Sequence, residues 1–152
     1  VVKKSEQGAG GQRFLIISLL LVVVALGGVV FYLLSDIQQR KFQLRQDGQE
    51  LLIERGRFMP FGFETYQPKL KSLKSVYVPL NLPDGFNFGL PRVFNDRIEL
   101  DFKLFSLLSG WFRTTLETPE KRNFDKLEIL MDRMSALPSL AGEQRLELVR
   151  LK

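Results

Sequence analysis

Residues 14–34 read FLIISLLLVVVALGGVVFYLL, and the rest of the chain is organised around them. The 21 residues carry no charge and no Asn or Gln, and Ser18 is the one side chain among them with no use for lipid. At 1.5 Å per residue, a helix of this length covers about 30 Å, the thickness of a bilayer's hydrocarbon core. A core helix of a soluble protein would show a polar stripe, and none is present. The stretch therefore reads as a transmembrane helix. A cleaved signal peptide would have a shorter apolar region followed by a small-x-small site. Here Leu33-Leu34-Ser35-Asp36-Ile37-Gln38 offers none, which makes the stretch an uncleaved signal-anchor.

Within the span, Ser18, Ala25, Gly28 and Tyr32 fall at i, i+7, i+10 and i+14, close to one helical face. Small residues on one face let a neighbouring helix approach closely, and Tyr32 sits where an interfacial ring belongs. These four residues are the candidate face for packing on other integral membrane proteins.

On the near side, residues 1–13, VVKKSEQGAGGQR, are short, polar and Gly-rich, as in a flexible tail. The tail carries Lys3, Lys4 and Arg13, and the residues just after the span carry Arg40, Lys41 and Arg45, so the positive-inside count ties. Short-tailed signal-anchors usually insert with the tail inside. The expected topology is single-pass, with a cytoplasmic N-terminus and the larger domain on the periplasmic or extracytoplasmic side.

On the far side, residues 35–56 read as the same helix continuing into water as a stalk. Ile37, Leu44 and Leu51 recur every seven residues amid Gln, Arg, Lys, Asp and Glu, which is a coiled-coil seam. Lys41 and Gly48 at the intermediate seam positions weaken it, leaving at most a short seam for self-association. Gly48 costs a helix about 1 kcal/mol relative to Ala, and Gly56 supplies a stop.

Residues 57–94 are expected to be irregular and aromatic-rich. Phe58, Met59, Phe61, Phe63 and Tyr66 crowd around Pro60 and Gly62, and aromatics at this density among helix breakers do not make a helix. From Pro68 to Tyr77, Leu70, Leu73 and Val76 or Tyr77 form one apolar face among Lys69, Lys71 and Lys74, outlining a short amphipathic basic helix suited to headgroups or to water. Residues 78–94 then hold three prolines and two glycines, with Pro83-Asp84-Gly85 a turn signal. Phe58, Phe61, Phe63, Phe86 and Phe88 present more apolar area than a small domain buries alone, and they form the candidate partner interface.

From Asn95 to Lys152 the pattern is helical. Asp96 followed by Glu99 marks a helix start, and Thr118-Pro119-Glu120 marks another. Ile98, Phe102, Phe105, Phe112 and Leu116 form one stripe, and Leu100, Leu104, Leu107, Leu108 and Trp111 form a second beside it. A helix apolar over so much of its girth is a central one. Phe102, Phe105, Trp111, Phe112, Leu127 and Met131 are the expected core. Pro138 ends the second helix, and Ser139 is the expected cap of a third, Gly142 to Lys152. Val1 opens the sequence without a Met and Lys152 closes it inside an apolar-periodic run, which leaves room for the helical domain to continue.

Residues 111–140 resemble a tetratricopeptide repeat. Phe124, Leu127, Met131, Met134, Leu137 and Pro138 follow the spacing of that family's second helix, and Trp111 stands at its first-helix Trp. Leu127 and Met134 replace the family's alanines, Thr115 its glycine, and no second copy follows. The resemblance implies a helical hairpin that serves as an interaction module.

Composition narrows the chemistry. The chain has no Cys and no His, so the commonest general base, the commonest metal ligand and the thiol nucleophile are missing. Asp96, Glu99, Asp101, Glu117 and Glu120 cluster at helix ends, where the helix dipole accounts for them. No catalytic residue, cofactor or metal ligand is assigned. The net charge of +5 is thinly spread, matching an anionic membrane surface rather than nucleic acid.

The expected architecture is mainly α: a single-pass membrane helix continuing into a helical stalk, then a small all-α domain with long Phe-, Pro- and Gly-rich connections. The expected function is a membrane-anchored structural or accessory subunit docking a helical interaction domain onto a larger envelope complex for secretion, motility, transport or bioenergetics. Two alternatives are a lipid-handling or transporter-associated protein with an apolar pocket, and an enzyme using carboxylates alone.

Overall fold

The computed structural model describes residues 9–59, 61–83, 85–118 and 123–151. Helix α1, Ala9–Arg40, contains the whole apolar stretch. Through residue 8 the tail lies outside the described residues, and from Ala9 onward the chain is helical. The most apolar window of α1 is wholly uncovered by the rest of the chain, and α1 is the one described helix long and apolar enough to cross a membrane.

The stalk does not exist. Beyond Arg40 the chain turns through Lys41 into β1, Phe42–Asp47, and returns as β2, Glu50–Gly56. The two strands pair antiparallel from Phe42↔Arg55 to Asp47↔Glu50, leaving Gly48 and Gln49 as a two-residue loop. Gly48 has φ +60° at the first loop position, and Gln49 has no positive φ, as in a type II′ hairpin turn. The residue expected to weaken a helix is the one that lets the strands reverse. Phe42, Leu44, Leu51 and Ile53 share one sheet face and are all buried, a period of two that overrides the sevenfold recurrence of Ile37, Leu44 and Leu51. Ile37 is exposed. With no helical seam, self-association through a stalk has no basis.

The all-α expectation is overturned with it. Three short strands complete a five-stranded antiparallel sheet: β3, Phe63–Thr65, and β4, Leu80–Asn81, flank the outer side of β2, and β5, Arg92–Phe94, lies outside β1. A single turn of helix, α2 (Lys71–Lys74), falls between β3 and β4. The span 57–94 is thus the sheet's edges and their connections. Phe86 and Phe88 leave it for the interior: Phe88 is buried, and the Phe86 ring meets Trp111 edge-on at 5.4 Å.

Helix α3, Arg97–Glu117, covers the inner sheet face, and α4 (Phe124–Ser135) and α5 (Gly142–Leu151) follow it. Asp96 caps α3 by accepting from the Glu99 amide at 2.9 Å, and Glu99 accepts from the Asn95 amide at 3.0 Å. The cap of α4 is Asn123, which accepts from the Lys126 amide at 3.1 Å. Thr118 instead closes α3, its hydroxyl on Thr114 O, and Pro119 and Glu120 lie outside the described residues.

The buried positions of α3 are Leu100, Asp101, Leu104, Phe105, Leu108, Ser109, Trp111 and Phe112. Of the six expected core residues, Phe105, Trp111, Phe112 and Leu127 are buried and Met131 packs against the core from its edge. Phe102 is 39% exposed and Ile98 51%, so the buried face is centred on the Leu100–Leu104–Leu108 stripe. In the tetratricopeptide-like stretch, α3 and α4 pack together and Leu127, Met134 and Leu137 are buried, but Phe124 is 73% exposed.

Candidate functional site

Two places gather unusual chemistry: the foot of α1, where the apolar helix meets the sheet, and a buried polar cluster on α3.

At the foot, Gly56 ends β2 directly against the last turn of α1. A Cβ added to Gly56 would stand 1.8 Å from the Gln38 carbonyl oxygen and 2.7 Å from its carbon. Only glycine fits here, because the obstacle is backbone. The contact is stitched by hydrogen bonds: the Gly56 amide donates to Lys41 O at 2.9 Å, and Arg55 Nε donates to Gln39 O at 2.8 Å. Gln38 Nε2 donates to Gly62 O at 3.2 Å, and that same oxygen accepts from the Arg57 amide at 3.2 Å. Gln39 O, a carbonyl that the helix end leaves without an intrahelical donor, is thus satisfied by the domain itself. Ser35 and Gln38 are buried, while Asp36 and Arg40 form an exposed i,i+4 ion pair at 2.8 Å. The helix runs unbroken to Arg40, and Lys41 alone separates it from β1.

The loop from β2 to β3 hangs from this junction. Arg57 and Gly62 close its neck, Gly62 at φ +95°. Phe58, Met59 and Phe61 are 54, 51 and 75% exposed, and the Phe58 ring meets Tyr32 of α1 edge-on at 6.4 Å. The five phenylalanines singled out from the sequence are therefore divided: Phe58 lies beside α1, Phe61 is exposed on the same loop, Phe63 is half-buried in β3, and Phe86 and Phe88 belong to the core. Along α1, Tyr32 faces Phe58, and the side chains of Ser18, Ala25 and Gly28 meet no other part of the domain. The Ser18 hydroxyl donates to Leu15 O at 3.0 Å within the helix.

The second cluster lies between α3 and the chain before β4. The Tyr77 hydroxyl donates to Asp101 Oδ1 at 2.6 Å, and both residues are fully buried. Asp101 Oδ2 has no hydrogen-bond partner among the described residues. Burial pushes the Asp101 carboxyl above its ordinary range, opposed by the Tyr77 hydroxyl, by Ser139 and by Arg97. Ser139 faces Asp101 rather than capping α5, without closing a full hydrogen bond to Oδ2. Burial, with the Asp101 contact, also raises the Tyr77 phenol, which stays a donor. Beside them Arg133 of α4 donates through Nε to Val76 O at 2.9 Å and through Nη2 to Val78 O, its pKa pushed down to about 10 by burial. This cluster pins the 76–80 segment onto the helices. Nothing about it opens to a substrate.

Of the other carboxylates singled out from the sequence, Asp96 and Glu99 cap α3, Glu117 is exposed, and Glu120 lies outside the described residues. Two surface clefts, of about 350 and 410 Å3, are open and lined chiefly by polar side chains, Arg113 and Glu147 in one, Arg55 and Glu64 in the other. Among the described residues no group of three or more acidic side chains is placed to hold a metal ion. No protein-family model, curated protein or solved structure matches the chain.

Sequence reasoning gave no role to Gln38 or Arg133, read Gly56 only as a helix stop and placed Tyr77 only on the apolar face of a short helix. Asp101 carried a signal that could have been read: a carboxylate beside Leu100 and three residues before Leu104, on the face that must be buried.

Proposed function

We propose that the protein is a single-pass membrane protein whose α/β domain stands on the bilayer surface as a structural or accessory subunit of a larger membrane assembly. One observation carries the reading: the apolar helix is locked into the sheet at Gly56 and Gln38, so the domain's orientation follows that of the helix. A tether needs no such fit. A fixed orientation serves a protein that must present one surface to a neighbour in the same membrane. The short tail is assigned to the cytoplasm and the domain to the opposite side, on the insertion habit of short-tailed anchors. The uncovered small-residue face of α1 supports contact with other membrane helices.

The test is gentle detergent extraction of the full chain from its own cells, after an alkaline wash of the membranes. Retention through the wash, an N-terminus upstream of Phe14 and migration with defined integral membrane proteins are the expected result. Release by the wash, or a mature chain starting after Leu34, overturns the anchor. Migration as a lone monomer overturns the subunit role.

A further inference from the structure

We infer that the β2–β3 loop is a second membrane contact, with Phe58, Met59 and Phe61 seated in the headgroup–acyl boundary of the leaflet that α1 leaves. The inference rests on the reading of α1 as a membrane helix and adds to it a site and its occupant, the bilayer itself.

The direction of the loop is decisive. Its neck is tied at Gln38, through Gln38 Nε2 on Gly62 O, yet the Phe58 ring touches Tyr32. Six residues of helix separate those two levels, so the loop runs back along α1 by about 9 Å, toward the apolar span. Asp36, the first charged residue after the span, lies between them, paired with Arg40. Phe58 thus stands on the lipid side of the first charge, about 6 Å below it at four residues of rise. That is the depth at which aromatic rings of membrane proteins collect.

Composition agrees with position. Phe58, Met59 and Phe61 are all more than half exposed, while Phe86 and Phe88 of the same chain found places inside. Three large apolar side chains on one short loop form a patch rather than scattered exposure. The charges at the neck point the same way. Arg55 and Arg57 flank the loop's base, and Arg57 meets Glu64 loosely at 3.8 Å with both side chains exposed. Lys41 adds a further base at this level. Cations above a buried apolar tip suit lipid phosphates. With one helix and one loop inserted, the domain has two fixed points on the membrane and cannot roll about the axis of α1.

The chain has no cysteine, so single cysteines carrying a polarity-sensitive fluorophore can be placed at will. The full chain is reconstituted into vesicles of phosphatidylcholine and phosphatidylglycerol, with quencher-bearing lipids or an aqueous quencher. Phe61→Cys reports the loop, Ile16→Cys the span, and Leu90→Cys, exposed on the far connection, the water side. Blue-shifted emission at position 61, quenched by lipid carrying the quencher near its headgroup and protected from the aqueous quencher, is the expected result. Emission at 61 matching that at 90, with 16 still quenched by lipid, overturns the inserted loop and leaves the membrane helix standing. If 16 also behaves like 90, the anchor itself fails and the loop falls with it. Protection of 61 from both quenchers means that protein covers it, which overturns the bilayer as occupant.

Discussion

Gly56 and Gln38 are in backbone contact: a side chain on the first would have to occupy the space of the second's carbonyl oxygen. That contact joins an apolar helix to a sheet and fixes the direction in which the domain faces.

The first prediction follows from it. Gly56→Ala should destabilise the domain by about 3 kcal/mol or more, the upper end for overpacking, because backbone cannot swing aside as a side-chain tip can. Gly110→Ala is the contrast. Nothing lies within 4 Å of a Cβ there, and the position is exposed within α3. It should gain about 1 kcal/mol from helix propensity. Thermal unfolding of the full chain in detergent reads both, and equal behaviour of the two variants would show that the junction is slack.

The same junction explains which parts of the fold were legible in the sequence. The helix α3 announced itself through Asp96 and Glu99 at its start and through an apolar girth wide enough for neighbours on two sides. The hairpin did not. Phe42, Leu44, Leu51 and Ile53 alternate at a strand's period, but Ile37, Leu44 and Leu51 also recur at seven. A sheet face is identified only by what covers it, and its cover, the Leu100–Leu104–Leu108 stripe, lies some fifty residues away in sequence. Local periodicity cannot choose between patterns that share Leu44 and Leu51; long-range burial does. The phenylalanines could not be told apart for a related reason. Their composition marks apolar demand, and only the path of the chain decides whether Trp111, lipid or water meets each ring.

A second prediction concerns Trp111, buried to 8% exposure with Phe86 against its ring. Trp111→Ala removes a large core side chain and should cost about 3–5 kcal/mol. Because Phe86 loses its edge-on partner, protease cutting in the 82–90 connection should increase beyond what global unfolding alone produces. Unchanged cutting at that connection would show that Phe86 is held by other contacts.

A third prediction is set by Arg133. Its guanidinium spans two carbonyls, those of Val76 and Val78, a geometry that a lysine's single ammonium does not reproduce. With a pKa of about 10 it remains charged at neutral pH. Arg133→Lys should therefore cost about 1.5–3 kcal/mol, the worth of a charge-assisted hydrogen bond. Hydrogen exchange at the Tyr77 and Leu80 amides should rise with it. A variant as stable as the parent would mean that solvent replaces the lost donors.

A fourth prediction is the pH dependence of the buried carboxyl. Burial raises the folded-state pKa of Asp101 above the ordinary aspartate value of 3.8. The native state then holds its proton over a pH range in which the unfolded chain has lost it. This group's contribution is fully present below that ordinary value and is lost as pH rises through the raised one. Asp101→Asn, which keeps an acceptor for the Tyr77 hydroxyl and carries no charge, should flatten the pH dependence and match or exceed the parent at neutral pH. Tyr77→Phe should instead cost about 1–3 kcal/mol by leaving Asp101 Oδ1 unpaired. Urea unfolding across the acidic range reads both, and an Asn variant with the parent's slope would place the titration elsewhere.

The last prediction tests the helix face. In lipid, burial of apolar side chains gives no hydrophobic gain, so helices associate by close packing over small residues and by hydrogen bonds. The Ser18 hydroxyl is already satisfied within α1, which leaves Ala25 and Gly28 as the positions where a neighbour's backbone can come near. Nothing in the rest of the domain lies within 4 Å of a Cβ at Gly28, so a larger side chain there disturbs no internal contact. Ala25→Leu with Gly28→Leu should leave membrane insertion and the domain's thermal unfolding unchanged and release the protein from its co-purifying partners. Folding and association are read separately, by unfolding midpoint and by partner yield. A double variant that keeps full partner yield would place the contact on the domain, where Ile98 and Phe102 are exposed.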